Sequence, residues 1–103
     1  MTVKFLEFVE ADLREGRLFY DEQEPGVGDY FVDSLIADAE SLSLYGGVHK
    51  KTFGYHRMLA RVFPFAIYYL TDNDTVEVYA ILDMRSKPSW IRDELGGRSS
   101  RDG

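Results

Sequence analysis

Residues 55–90 read YHRMLARVFPFAIYYLTDNDTVEVYAILDMRSKPSW. β-Branched and aromatic residues fill three runs of this segment, which favours strands. The runs are separated by Phe63-Pro64 and by Asp72-Asn73-Asp74, which are typical turn sequences. The segment therefore predicts three consecutive antiparallel strands, and the rest of the chain is expected to pack on this meander.

Alternation along the first and third strands predicts which side chains share a face. The middle strand, 65–70, is apolar on both faces, which suits a central position. One face of the sheet is therefore expected to form the core. The other face carries both polar and apolar side chains and is expected to carry the functional site. The first strand places Met58, Ala60 and Val62 opposite Arg57, Leu59 and Arg61, and the third places Val76, Val78, Ala80 and Leu82 opposite Glu77, Tyr79, Ile81 and Asp83.

The segment before the meander predicts one strand and two helices. Residues 2–6 alternate and are expected to add a fourth strand at an edge of the sheet. An apolar stripe of helical period runs from Phe8 to Pro25-Gly26, where the helix must stop. A second stripe over 28–44 predicts another helix, closed by glycines. The two helices form an antiparallel hairpin that covers one face of the sheet.

The segment after the meander predicts a basic loop and a short last helix, Pro88 to Leu95, because proline suits the first helical position. Gly96-Gly97 is expected to end that helix. Residues 96–103 are polar and glycine-rich, which predicts a disordered tail. The chain is thus expected to be a single α+β domain over residues 1–95, with a four-stranded sheet.

Charge is divided unevenly along the chain. The net charge is −6, but residues 1–46 carry 11 acidic and 3 basic residues, whereas residues 47–71 carry 4 basic residues and no acidic one. This distribution argues against strong attraction to bulk nucleic acid and leaves room for a local basic patch. Nothing resembles a signal peptide, and no apolar run reaches the roughly 20 residues of a membrane span. The sequence predicts a cytoplasmic protein with no membrane partner.

Familiar catalytic patterns are missing from the sequence. There is no cysteine, so disulfides, a thiol nucleophile and thiolate metal sites are excluded. The two histidines, His49 and His56, bring no carboxylate at metal-ligand spacing, and no glycine-rich phosphate loop follows a strand. The sequence therefore predicts neither a metal nor a cofactor.

Basic and aromatic residues of the meander are the remaining candidates for binding. Two interpretations stay open for the basic ones: a surface that binds phosphate or carboxylate, or a solvated strand face. The strand tyrosines are expected to pack in the sheet rather than to stack on bases, and Trp90 is expected to fix the last helix to the sheet. Asp83 is expected to form an ion pair with Arg57, Arg61 or Arg85. The basic candidates are Arg57, Arg61, Arg85 and Lys87, with Lys50 and Lys51 nearby, and the tyrosines are Tyr55, Tyr68, Tyr69 and Tyr79.

Several segments resemble a known family. They are the helix with Ala11-Asp12-Leu13 and Phe19-Tyr20, the turn PGVGDYF at 25–31, and the runs YHRML at 55–59, RVFPFAIYY at 61–69, VYAILD at 78–83 and RSKPSW at 85–90. Over residues 2–95 the chain resembles the RelE/ParE superfamily of toxins from type II toxin–antitoxin systems, and within it the ParE-like, plasmid-stabilisation branch. The resemblance implies a twisted antiparallel sheet with a helical hairpin against it.

Function divides within that superfamily. RelE-like members cut messenger RNA on the ribosome without a metal, whereas ParE-like members are associated with poisoning of DNA gyrase. Arg85 falls where the nucleases have a last-strand arginine. Ala66, however, stands where many of them have a middle-strand arginine, and Trp90 and Ile91 stand where a catalytic tyrosine is expected. The ParE-like pattern is also altered, because Asp83 replaces a histidine.

The resemblance therefore predicts a ParE-like toxin that binds DNA gyrase and is neutralised by a cognate antitoxin, as a monomer or a homodimer. Two alternatives stay open: a RelE-like, ribosome-dependent endoribonuclease that cuts messenger RNA, and an inactive relative that only binds a partner. The expected target-binding residues are Asp83, Arg85, Lys87 and Trp90; the antitoxin-binding residues are Lys50, Lys51, Tyr55, Arg57 and Arg61; a nuclease would use Arg57, Arg61 and Arg85, with His56 as base.

Overall fold

The structure, a computed structural model, describes residues 1–99. The predicted α+β class is confirmed, with helices against a mostly antiparallel sheet. In chain order the elements are β1 (Thr2–Phe5), α1 (Phe8–Gln23), α2 (Val27–Glu40), α3 (Leu42–Tyr45), β2 (Lys51–Thr52), β3 (Tyr55–Leu59), β4 (Phe65–Asp72), β5 (Thr75–Asp83) and α4 (Pro88–Ser99).

The sheet has five strands in the order β1-β5-β4-β3-β2, so the predicted count of four is wrong. The additional strand, β2, pairs with the start of β3 through a two-residue turn at Phe53 and Gly54. Both turn residues have positive φ, 54° and 87°, which is the backbone of a tight hairpin turn. The predicted edge strand β1 is present and runs parallel to β5, while the meander β3-β4-β5 is antiparallel.

The helical hairpin forms with one break that was not predicted. Helix α1 begins and ends close to the predicted residues, and Asp21 accepts a hydrogen bond from Gly28 N, which ties α1 to the start of α2. The predicted second helix is divided at Ser41 into α2 and α3. The Ser41 hydroxyl donates to the Asp38 carbonyl oxygen at 2.6 Å, a local bond that competes with regular helix geometry.

Apolar side chains cover both faces of the sheet, so the prediction of one core face and one mixed face is wrong. We call the two groups the hairpin-side core and the α4-side core. The hairpin-side core contains Val9, Phe31, Leu35, Ala39, Leu42, Phe65, Ile67, Tyr69, Val76, Val78 and Ile81. The α4-side core contains Tyr55, Ala66, Tyr68, Tyr79, Ala80, Leu82, Ile91 and Leu95.

A β-bulge in β5 explains why the predicted faces fail. Tyr68 pairs with Ala80 and Tyr69 pairs with Val78, so Tyr79 is an extra residue on β5. An extra residue reverses the alternation beyond it. Val76 and Val78 therefore face the hairpin, as Ile81 does, whereas Ala80 and Leu82 face α4.

Helix α4 continues to Ser99, so its predicted end at Leu95 is wrong. Glycines in a helix interior cost about 1 kcal/mol each relative to alanine. Tertiary contacts outweigh that cost here, because Leu95 and Arg98 are both buried. Residues 100–103 of the predicted tail lie outside the described residues.

Candidate target-binding cleft

The loop between β5 and α4 is held at both of its ends. Met84 N donates to the Pro64 carbonyl oxygen at 2.9 Å, which fixes the end of β5 to the β3–β4 connection. Trp90 N and Ile91 N donate to the Lys87 carbonyl oxygen and so begin α4. The chain from Asp83 to Trp90 is thus positioned by the sheet on one side and by the helix on the other.

Asp83 pairs with Arg85, one of the three partners considered from the sequence. The guanidinium donates from Nε and Nη2 to the two carboxylate oxygens at 2.9 and 2.8 Å, and the Arg85 backbone N–H donates at 2.8 Å. The hydrogen bond from the Arg85 side chain lowers the pKa of Asp83, and the same bond raises the pKa of Arg85. Because both side chains are partly exposed, this pair orders the loop more than it stabilises the fold.

A shallow cleft of about 210 Å³ opens beside this ion pair. It is smaller than the roughly 300–1,000 Å³ of typical small-molecule sites, and two half-exposed aromatic rings, Phe19 and Trp90, line it. The Arg85 guanidinium carbon lies 5.8 Å from the centre of the Phe19 ring. The lining residues are Asp12, Glu15, Gly16, Phe19, Phe65, Ile81, Leu82, Asp83, Ser86 and Trp90.

Trp90 does not fix α4 to the sheet, contrary to the sequence prediction. It is 47% exposed, and Ile91 and Leu95 provide the buried contacts of the helix instead. The Tyr55 hydroxyl adds a 3.0 Å hydrogen bond to the Leu95 carbonyl oxygen. An exposed tryptophan beside an exposed phenylalanine is typical of a protein-binding surface.

A buried ion pair that the sequence analysis missed joins α1 to α4. Asp12 and Arg98, about 8% and 10% exposed, bond at 2.6 and 2.9 Å. The pair also satisfies two backbone groups next to the bulge, since Ile81 N donates to Asp12 and Arg98 donates to the Tyr79 carbonyl oxygen, both at 3.0 Å. β1 pairs with β5 only as far as Val78. Beyond that point, the side chains of Asp12 and Arg98 provide hydrogen-bond partners for the backbone of β5.

The position of Asp12 in the sequence offers a weak signal for this role. It lies next to the apolar stripe of α1, where an acidic residue at the margin of a buried face suggests a partner. Its partner, 86 residues away in the segment predicted to be disordered, gives no such signal. The pair could not be inferred without the three-dimensional path of the chain.

The structure does not bring the predicted basic surface together. Arg57 lies on β3 and interacts with Tyr68 on the α4 side of the sheet. Arg61 lines an open groove along α2, and its backbone N donates to Asp38 at 2.9 Å. Arg85 lies against Phe19 of α1. The three arginines proposed for a nuclease therefore contact three different elements.

His56, the proposed base, lies on the face of β3 opposite to Arg57. Its ring stacks on Tyr69, with ring centres 5.0 Å apart, and its Nδ1 bonds to the His49 carbonyl oxygen at 2.5 Å. His49 in turn bonds through Nδ1 to the Tyr69 hydroxyl at 2.5 Å, and Gly47 N donates to that hydroxyl. The two histidines thus hold the connection from α3 into the sheet against Tyr69.

We expect protonation of His49 to destabilise the fold. Burial, together with the charge of His56, lowers the pKa of His49 below its ordinary 6.5, so the folded chain binds its proton less readily than the unfolded chain. The contribution of neutral His49 to the free energy of unfolding is complete above pH 6.5. It is lost as the pH falls through the lower pKa that His49 has in the folded chain. Urea unfolding between pH 8 and 5 should show this loss in the natural chain and a flatter profile in His49→Gln, and equal profiles would contradict it.

The residues expected to bind an antitoxin differ in accessibility. Lys50, Lys51 and Arg61 are exposed, and Arg57 is partly buried. Tyr55 is 2% exposed beneath α4 and is therefore a core residue in this structure. Among residues 1–99, no three His, Cys, Asp or Glu side chains come close enough to hold a metal ion, and no helix is long and apolar enough to cross a membrane.

Comparison with known proteins gives a match at the level of the fold. No protein-family model matches the chain, and no curated protein is significantly similar to it. A chain of a solved structure described as "Chromosomal ParDE TA system from P. aeruginosa" superposes with a TM-score of 0.73 at 16% identity, covering 82% of this chain and 97% of that one. The chain thus has a ParE-like toxin fold, which is the fold that its sequence resemblance predicted.

Proposed function

We propose that the chain is the toxin of a type II toxin–antitoxin system, of the ParE-like branch, and that it stops growth by binding DNA gyrase. The observation that carries the proposal is the superposition on nearly the whole of a ParDE-system chain. The exposed aromatic cleft beside the Asp83–Arg85 pair supports action by protein binding, because exposed aromatic and arginine side chains dominate the affinity of protein interfaces.

The proposed target-binding surface consists of Asp83, Arg85, Lys87 and Trp90. Asp83 and Trp90 line the cleft, Arg85 is hydrogen-bonded to Asp83, and Lys87 is exposed in the same loop. An antitoxin is proposed to bind the basic residues Lys50, Lys51, Arg57 and Arg61, which lie before β2, on β2, on β3 and just after β3. The two proposed surfaces lie at different parts of the sheet, so target and antitoxin need not compete for the same side chains.

The ribonuclease alternative receives less support from the geometry. Cleavage at a ribose 2′-hydroxyl needs a base and cations close to one phosphate. His56 and Arg57 project to opposite faces of β3, and Arg61 and Arg85 contact different helices. The geometry therefore favours a binding mechanism over this set of catalytic groups.

We expect the double variant Arg85→Ala, Trp90→Ala to lose growth inhibition when it is induced in bacteria without an antitoxin. Loss of a single hot-spot side chain costs about 2 kcal/mol, or roughly 30-fold in affinity for the target. Both side chains are half exposed, so circular dichroism should show an intact fold.

The matched control is Leu44→Ala, Val48→Ala, which truncates two exposed apolar residues outside the cleft. This control should inhibit growth as the natural chain does. If the Arg85→Ala, Trp90→Ala variant is folded and fully toxic, the cleft is not the surface that binds the target. Absence of growth inhibition by the natural chain would favour the inactive relative.

A further inference from the structure

We propose that the cleft binds the arginine side chain of a basic peptide segment of its partner protein. This inference rests on the proposed function, because it names the chemistry of the segment that the target-binding surface accepts. Three observations carry it: the size of the cleft, the charges at its margin, and a guanidinium that the chain already places on one of its rings.

The size of the cleft suits one side chain. About 210 Å³ is too small for a typical cofactor or drug-sized ligand, and the cleft is partly open to solvent. Its two aromatic walls come from different elements, Phe19 from the last turns of α1 and Trp90 from the first turn of α4. A flat, delocalised guanidinium stacks on such rings better than an ammonium group does.

The charges at the margin favour a cation. Glu15 lines the cleft, is exposed and makes no ion pair within residues 1–99, and Asp83 at the end of β5 also lines it. The arginines of α1 are already engaged, since Arg14 pairs with Glu10 and Arg17 pairs with Asp29. Within the part of the chain that the structure describes, the Glu15 carboxylate is therefore an acceptor without an ion-pair partner, in a half of the chain that carries 11 acidic and 3 basic residues.

Arg85 provides an internal example of the contact that we infer. Its guanidinium lies over the Phe19 ring while it bonds to both carboxylate oxygens of Asp83. The combination of an aromatic ring and a carboxylate on one guanidinium is therefore already compatible with this part of the surface. A partner arginine would make the equivalent contacts with Trp90 and Glu15.

Trp90 makes the inference directly measurable, because it is the single tryptophan of the chain and lines the cleft. The natural chain would be titrated with acetyl-Ala-Arg-Ala-amide while tryptophan fluorescence is recorded. We expect a saturable change that weakens as salt is added. The same peptide with citrulline in place of arginine keeps the shape and loses the charge, and it should bind at least about tenfold more weakly, as charge-assisted bonds are the strong ones.

Two variants separate the cleft from general attraction to an acidic protein. Glu15→Gln should weaken binding of the arginine peptide about fivefold or more. Glu22→Gln removes the same charge from the exposed face of the same helix, outside the cleft, and should leave binding unchanged. Both substitutions are at exposed positions, so both variants should fold.

Several results would overturn the inference: no saturable change, equal binding of the arginine and citrulline peptides, or an equal effect of the two glutamate variants. Tighter binding of guanosine monophosphate than of the arginine peptide would show that the aromatic walls serve a nucleobase instead. The assay uses purified protein and does not depend on toxicity. A toxic chain that ignores the peptide therefore refutes only this inference, and a non-toxic chain that binds it refutes only the proposed function.

Discussion

Replacing Arg98 with alanine is expected to lower the free energy of unfolding by about 3–5 kcal/mol, because it leaves a buried carboxylate without its counter-charge. Among residues 1–99, Asp12 would keep only the N–H of Ile81 as a partner, and the Tyr79 carbonyl oxygen would lose the guanidinium that it bonds. Urea denaturation followed by far-ultraviolet circular dichroism measures the change.

The matched control is Arg92→Ala, which removes an exposed arginine from the same helix and should change stability by less than about 0.5 kcal/mol. A second variant tests whether the pair acts on the strand edge or only as an ion pair. Asp12→Leu with Arg98→Met removes both charges together with the carboxylate that Ile81 N bonds, so a loss of about 2 kcal/mol should persist. A loss under 1 kcal/mol in Arg98→Ala would contradict this account of how α4 is held.

Replacing Phe31 with alanine is expected to cost about 3–5 kcal/mol of unfolding free energy, the typical effect of deleting a buried ring. Phe31 is fully buried, and its ring centre lies 5.2, 5.1 and 4.8 Å from those of Tyr20, Phe63 and Phe65. A Cβ at Gly16 would lie 2.4 Å from two atoms of the same ring, so the helix backbone already closes this site.

The cavity left by Phe31→Ala cannot collapse easily, because α1 and three aromatic side chains surround it. Leu44→Ala, which truncates a 79% exposed side chain, is the control and should change stability by less than about 0.5 kcal/mol. Denaturant midpoints of the two variants and the natural chain are compared. Similar midpoints for all three would show that this aromatic cluster contributes little to the core.

Short-range sequence patterns were enough to predict helix α1 and the three strands of the meander. The periodicity of α1 and the β-branched and aromatic runs of the meander were sufficient for the type of these elements, although β3 ends at Leu59, before the predicted Ala60 and Val62. The short strand β2 was missed because its turn, Phe53-Gly54, lacks the usual Asn-Gly or Asp-Gly signature. The bulge at Tyr79 was missed because an uninterrupted apolar run does not reveal where the alternation reverses.

Contacts between distant segments limited prediction of the site. The pairing of Asp83 with Arg85 is local, and it was among the partners expected from the sequence. Phe19 lines the cleft because the fold places α1 beside the β5–α4 loop, which no local pattern indicates. Arg98 was predicted to lie in a disordered tail because Gly96-Gly97 precedes it. In the structure, the buried contacts of Leu95 and Arg98 outweigh the low helix propensity of Gly96-Gly97.

The order in which DNA and protein synthesis stop tests the proposed function most directly. Incorporation of labelled thymidine and labelled methionine would be followed within minutes of inducing the chain without an antitoxin, beside the Arg85→Ala, Trp90→Ala variant. We expect thymidine incorporation to fall first, with a DNA-damage response, in the natural chain only. An earlier fall in methionine incorporation, or no fall in either, would contradict a gyrase-binding toxin.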